Sequence, residues 1–314
     1  MTTVAEWFKL QMPKEVRGVW RTIHTDEALS PFLQFEETQG KSHDYERELT
    51  LPVTQVVSDE GSMVESDTTY TEKTETLKNV YVQSKFNLKA AALANKTDPL
   101  ATLKLQMSKS WGRKLMDLVV NGDSAVNALE FDGLNKWARR ETRMMAMDDG
   151  VVDGPGTVET ELTQDRLDQM IDTIRPGKPD ALIMNKTLRR KLSQLARAAG
   201  SGIVLNQADM FGRKVTLYDE IPIVICDYIG NAEEYADAAT WPSSTATTIF
   251  ATKFGPENQG VSLLHKGGFM NVEFVNVGKS RYTNHEIWRL IGYTGSVVYS
   301  PLAIAALGGI DSAA

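Results

Sequence analysis

Cysteine is almost missing from this chain: one residue, Cys226, in 314. A single thiol cannot close a disulfide within the chain. It stands in the apolar run 222–227, where a free thiol acts as a small buried hydrophobe. Basic charge is also short. Lys and Arg number 34 against 41 Asp and Glu, a net charge of -7. Tight nucleic-acid binding needs cations to neutralise phosphates, so that class is disfavoured. No apolar run reaches the ~18 residues of a membrane-spanning helix. The polar, acidic opening residues lack the basic-then-apolar order of a signal peptide, which points to synthesis and first use on the cytoplasmic side.

Histidine is scarce too. His24, His43, His265 and His285 are dispersed, and no pair has metal-ligand spacing. The run His285, Glu286, Ile287, Trp288, Arg289 opens like a zinc-protease helix. Arg289 stands where the second imidazole must be, so the motif fails. Gly200, Ser201 and Gly202 lack a third glycine and follow a helical pattern, a helix stop rather than a phosphate loop. No nucleophile elbow is present. Adjacent acids such as Asp148 with Asp149, and Glu233 with Glu234, read as solvated loop carboxylates. No catalytic, cofactor-binding or metal-binding residue is expected, and the chain does not read as an enzyme.

What is present is organised unevenly. Residues 1–44 look unlike a compact domain. Thr3 and Glu6 form a capping-box pair ahead of Val4, Trp7 and Phe8, and Pro13 stops that short helix. Trp20, Phe32 and Phe35 follow with no sustained period. Apolar anchors without their own fold read as an arm lying on something else.

Residues 45–88 are strand-like. Leu49, Leu51 and Val53 alternate with polar residues, and residues 59–62 are a turn signal. A Thr-rich return runs through Tyr70 to Val80 and Val82. The spacing predicts a hairpin with legs of up to ~60 Å at ~3.3 Å per residue. A globule of this length has a radius of gyration near ~20 Å, so the hairpin should project. Its tip region carries Asp59, Glu60, Glu65 and Asp67. An isolated hairpin is marginal in water and needs a neighbour.

Asp98 and Pro99 start one long helix. Leu100, Leu103, Met107, Trp111, Leu115 and Leu118 form its apolar stripe, and Asn121 with Gly122 ends it. An α/β region follows: a helix on Leu167, Met170, Ile171 and Ile174; a buried strand 181–184; and a helix capped by Asn185 on Leu188, Leu192 and Leu195. Strands are expected at 214–218 and 221–226 around a turn. Residues 144–157, rich in glycine, read as a linker. Further strands fall at 247–252, 260–265, 272–277 and 286–299, and Ser300 with Pro301 breaks into an Ala-rich tail. The cationic group Arg189, Arg190 and Lys191 is expected on the solvated face of its helix, opposite the leucines. These arginines and the group Lys136, Arg139, Arg140 and Arg143 could instead meet the acidic hairpin of a neighbour.

The order of parts resembles the major capsid proteins of tailed bacteriophages, the Hong Kong 97 fold. The similarity rests on short phrases: Lys78, Asn79, Val80, Tyr81 and Val82 ahead of Lys85 and Leu88; the 98–119 helix ending at Asn121 and Gly122; Phe131, Asp132, Gly133 and Leu134; 181–185 with Leu188 and Leu192; Phe211 with Gly212, then 221–224; Phe254 with Gly255; 272–277; and Val297, Tyr299, Pro301 and Ala303. They span nearly the whole chain, and their order and spacing carry the likeness.

The resemblance implies an α+β capsid fold with an N-terminal arm (1–44), an extended β-hairpin loop (45–88), a peripheral domain with a long spine helix (89–146 and 263–299), and an axial α/β domain (147–262 and 300–314). It implies self-assembly through hexamers and pentamers into an icosahedral shell enclosing double-stranded DNA, assembled in the host cytoplasm. Portal and scaffolding proteins, and a decoration protein, are the implied partners. DNA would be confined without sequence-specific binding, and no membrane is involved. Scaffolding is expected from a separate protein or not at all, because no large segment precedes the arm. Some relatives weld subunits with a Lys–Asn bond; nothing singles out Lys73 or Lys78 for that. Candidate intersubunit contacts are Trp7, Phe8, Trp20, Phe32 and Phe35 in the arm, Asp59, Glu60, Glu65 and Asp67 in the hairpin, and Arg139, Arg140, Arg189 and Arg190. An encapsulin-type nanocompartment shares the fold but stores protein, and residues 3–12 could hold cargo there. A monomeric α/β hydrolase or binding protein would need a compact site the sequence does not offer.

Overall fold

The computed structural model describes residues 19, 29–50, 52–54, 56–57, 65–89, 99–147, 160–198, 205–210, 213–231, 246–257, 259–266, 272–279 and 284–312. The expected helix of residues 3–12 lies outside them, with Trp7, Phe8, Trp20, Asp59, Glu60 and the Asp98 cap.

A five-stranded sheet is organised on one long strand. Strand β13 (His285–Val298) pairs with β11 (Val261–Lys266), β12 (Val272–Lys279) and β4 (Lys78–Asn87), all antiparallel. Strand β1 (Phe35–Thr38) adds to β11 in parallel. Helix α1 (Pro99–Asn121) packs against this sheet, burying Met107, Trp111, Leu115, Leu118 and Val119, the face its apolar stripe predicts. The Trp111 indole donates from Nε1 to the Val80 carbonyl at 2.9 Å. Position 292 must be glycine for the helix to seat: a Cβ there would stand 2.6 Å from Trp111 Cζ2. The end of α1 is fixed the same way. Gly133 N donates to Gly122 O at 2.7 Å, and a Cβ on Gly122 would meet the Phe131 carbonyl oxygen at 2.2 Å. Helix α2 (Leu134–Arg140) follows directly.

A seven-stranded sheet forms the second layer. Its order is β5 (Met144–Ala146), β14 (Ile304–Asp311), β10 (Ala246–Thr252), β6 (Ala181–Met184), β9 (Ile221–Ile225), β8 (Arg213–Tyr218) and β7 (Leu205–Met210). The β6–β9 and β5–β14 pairs are parallel and the rest antiparallel. Leu167, Met170 and Ile171 of α3 (Gln164–Asp172) and Leu188 and Leu192 of α4 (Lys186–Ala198) share a core with Ile249, Leu307 and Ile310. The Asn185 cap is real: Oδ1 accepts from Leu188 N at 2.8 Å. Asp219 and Glu220, at φ 47° and 69°, turn β8 into β9.

Four expectations need correction. Residues 78–87 are not the outer leg of the projecting hairpin; β4 is a body strand, held by ten registered pairs to β13. The hairpin proper is β2 (Ser42–Thr50) with β3 (Thr69–Thr76), a separate two-stranded sheet. Its ladder spans about 30 Å at ~3.3 Å per residue. Residues 144–146, read as linker, are a fully buried strand. The Ala-rich tail is a buried interior strand, β14, between β5 and β10. Lys191 is not solvated: it is buried, and its Nζ donates to the Asp311 carbonyl. An ammonium on a long apolar stem reaches the end of β14 while leaving the leucine stripe intact.

Candidate assembly surfaces

The hairpin leaves the body through a dense polar and aromatic root. Arg47 on β2 pairs with Glu141, Nη1 to Oε2 at 2.7 Å, and donates from Nε to Tyr299 O at 2.8 Å and from Nη2 to Val298 O. Lys73 on β3 reaches the other Glu141 oxygen at 3.4 Å. Glu141 is 7% exposed and takes both cations. Beside it, Arg140 bridges Glu75 at 2.9 Å and Asp132 at 3.2 Å, and its guanidinium lies 4.6 Å over the Trp137 ring. Burial pushes the Glu75 carboxyl above the ordinary range, and the Arg140 charge opposes that rise.

The aromatic half of the root is equally connected. Tyr45 and Tyr299 meet edge to face at 5.4 Å, above Leu77, Leu264 and Val297. The Tyr299 hydroxyl donates to Glu36 Oε2. His43 Nε2 therefore donates to Tyr299 Oη at 3.0 Å, and Nδ1 accepts from Thr38 Oγ1 at 3.3 Å. Burial pushes the Tyr45 phenol up to about 12, and burial with the Glu36 contact raises Tyr299. Both phenols stay neutral near neutral pH, and the Tyr299 hydroxyl is the one that makes the hydrogen bonds. Four segments thus fix the hairpin's exit: β1, β2–β3, the end of α2 and the residues after β13.

Beyond the root, cover stops. Val53, Val56, Tyr70, Glu65, Asp67 and Glu72 are exposed. The body has further exposed apolar side chains: Val126 and Leu129 in the loop after α1, Leu105 on α1, and Tyr81, Val277 and Tyr293 on the five-stranded sheet. The chemistry available here is contact-making. No group of three or more His, Cys, Asp or Glu could hold a metal among the described residues.

The sequence candidates fall in different places. Glu65 and Asp67 are exposed on the hairpin. Phe32 and Phe35 pack partly buried against the body's own core. Arg140 is committed to Glu75 and Asp132 of its own chain, while Arg139 bonds Asn135 Oδ1 from Nε at 3.3 Å and Nη2 at 3.2 Å. Arg189 and Arg190 are exposed on α4. The root residues Arg47, Glu141 and Tyr299 were missed. Arg47 and Glu141 are single charges in charged segments and Tyr299 closes an apolar strand, and their shared location exists only after folding.

No family model matches the chain, and no curated protein matches it by sequence. Solved structures do match. The SrpI encapsulin in the holo complex from Synechococcus elongatus superimposes with a TM-score of 0.68 at 15% identity, covering 91% of this chain and 88% of that one. The capsid of an empty GTA particle gives 0.62 at 13% identity, over 90% and 89%. A structure from Microbacterium phage Oxtober96 gives 0.61 at 13% identity, over 90% of each chain. The architecture is thus one found in shell-building proteins. It is the Hong Kong 97-type capsid fold, a mixed α+β fold, and the resemblance to tailed-phage major capsid proteins holds at the level of the fold.

Proposed function

We propose that this protein is the major capsid protein of a tailed bacteriophage or a close relative, and that it works by interface geometry rather than catalysis. Subunits would assemble through hexamers and pentamers into an icosahedral shell around double-stranded DNA. The observation that carries this reading is the clamped hairpin: its root is fixed by buried ion pairs, while Val53, Val56 and Tyr70 beyond it have no cover in the described chain. A rigidly aimed element with exposed apolar side chains is completed by another molecule. One subunit with several such surfaces can exceed the ~1,000 Å² of a stable interface. The acidic balance of -7 suits a wall that confines DNA without gripping it. Portal, scaffolding and decoration proteins would be separate partners, and the shell would assemble in the host cytoplasm.

A second reading has an observation of its own: the encapsulin match at TM-score 0.68 favours a compartment that stores protein. Electron microscopy of the purified product tests the shared part, since closed shells are expected. Light scattering at the mass of a 34.8 kDa monomer would overturn it. The particle contents then separate the readings. Nuclease-protected DNA that stays inside at raised salt supports the capsid; a packaged enzyme supports the compartment.

A further inference from the structure

The chain's net charge of -7 is spread unevenly. Helix α4 carries Lys186, Arg189, Arg190, Lys191 and Arg197 and no Asp or Glu. Lys191 is turned inward to the Asp311 carbonyl. The other four gather on one side. Lys186, Arg190 and Arg197 follow at steps of four and seven residues, which sets them in one row along the helix. Arg189 flanks the row on one side and Gln194 on the other, and all five side chains are exposed. On the opposite side Leu188 and Leu192 hold the helix to the seven-stranded sheet, so the row is fixed to the body.

The row is open to a partner. Lys186 meets Asp227 at 2.7 Å, but those side chains are 69% and 63% exposed, so water and salt screen the pair. Arg189, Arg190 and Arg197 have no carboxylate partner among the described residues, in a chain with more acids than bases. Arg197 donates from Nε to the Ser193 carbonyl at 3.0 Å, which keeps its guanidinium on the row. The makeup of the face selects the kind of partner. A protein interface is centred on apolar or aromatic anchors. This face has no exposed apolar side chain among its described positions. A phosphate backbone needs no such anchor: Arg and Lys meet it, with Ser and Gln as further donors, and guanidinium forks match phosphate oxygens in pairs. The row is about 16 Å long at ~1.5 Å per residue. Duplex DNA carries one negative charge per ~1.7 Å of its axis, so several phosphates come within reach.

We propose that the exposed face of α4 binds the phosphate backbone of duplex DNA through Lys186, Arg189, Arg190 and Arg197, without reading its sequence. The contact sets this side of the seven-stranded sheet at the inner wall of the shell. It is local and salt-sensitive, so the closed wall rather than α4 retains the DNA. The contact rests on the capsid reading and adds the surface that packaged DNA touches. It gives Arg189 and Arg190 a nucleic-acid partner in place of a neighbour's acidic hairpin.

Two measurements test it. Filled and empty particles are separated on a density gradient and treated with phenylglyoxal, which modifies accessible arginines, and peptide mass spectrometry reads the sites. Arg189, Arg190 and Arg197 should be protected in filled particles and modified in empty ones. Modification in both means that DNA does not cover the row. Protection in both means that another protein surface does. Either result overturns the proposal. Second, unassembled full-length subunits are titrated with a fluorescent duplex of about 30 base pairs; four phosphate contacts should weaken binding about hundredfold from about 50 to about 200 mM salt. The triple variant Arg189→Gln, Arg190→Gln, Arg197→Gln should keep its melting temperature, because the positions are exposed. Its slope of log affinity against log salt should fall by about 3. The matching Arg→Lys triple variant should keep the wild-type slope. A Gln variant with the wild-type slope counts against the α4 face. If no particle holds DNA, the capsid reading itself falls. If filled particles form and the row stays open to the reagent, the α4 contact alone falls.

Discussion

Arg47 and Glu141 stand 94 positions apart in the chain and 2.7 Å apart in space. That contact joins the root of the projecting hairpin to the end of α2. It makes the hairpin's direction a property of the body rather than of the hairpin's own two strands.

Removing Arg47 leaves Glu141, 7% exposed, with Lys73 at 3.4 Å. Breaking a buried pair from one side costs about 3 kcal/mol, because the other charge stays desolvated. Arg47→Ala should lower the melting temperature and speed amide exchange in Ser42–Thr50. In Arg47→Ala with Glu141→Ala the loss should be smaller than the sum of the single losses.

Arg140 sets a pH dependence. The Glu75 carboxyl is already raised by burial, with Arg140 holding it back. A carboxyl with a raised folded pKa binds its proton more tightly folded than unfolded, so its contribution worsens as pH rises through that window. Arg140→Gln removes the opposing charge and widens the window. The variant should lose about 2 kcal/mol at neutral pH. The loss should shrink as pH falls toward the ordinary carboxylate range of about 4–5. Urea melts at several pH values check this; a loss independent of pH would contradict it.

Gly292→Ala places a methyl 2.6 Å from the Trp111 ring. Overpacking of this kind costs about 1–3 kcal/mol. Trp111→Phe gives up the bond to Val80 O but removes the atom that clashes. The double variant should therefore be more stable than the two single losses summed, measured by denaturant unfolding.

Val56→Ser with Tyr70→Ser changes only exposed hairpin positions. Subunit stability should stay within about 0.5 kcal/mol. Particle yield, followed by sedimentation and microscopy, should fall. Unchanged yield would mean the hairpin's apolar side chains are not interface groups.

Much of this fold was legible in advance, and the reasons are local. Helix α1 announces itself through Leu103, Met107, Trp111 and Leu115, a stripe that only a helix gathers on one side. Asn185 caps α4 because its short side chain reaches the Leu188 amide within one turn. Strand β14 escaped notice because every position from Ile304 to Ile310 is buried, so it has no alternation to read. The β4 leg was misassigned because its partner, β13, lies some 200 residues further on. That exposed Tyr81 and Tyr293 stand on the same side follows only from the register of β4 on β13.

Local order settled the helices and most strands, the α1 stripe, the caps and turns, and the acidic character of the hairpin, because those depend on spacing over a few residues. Tertiary structure alone decided that Tyr299 meets Glu36 and His43, and that Arg140 serves its own chain. Such contacts depend on which strand edges pair, a choice made by burial across the whole chain and written in no single segment.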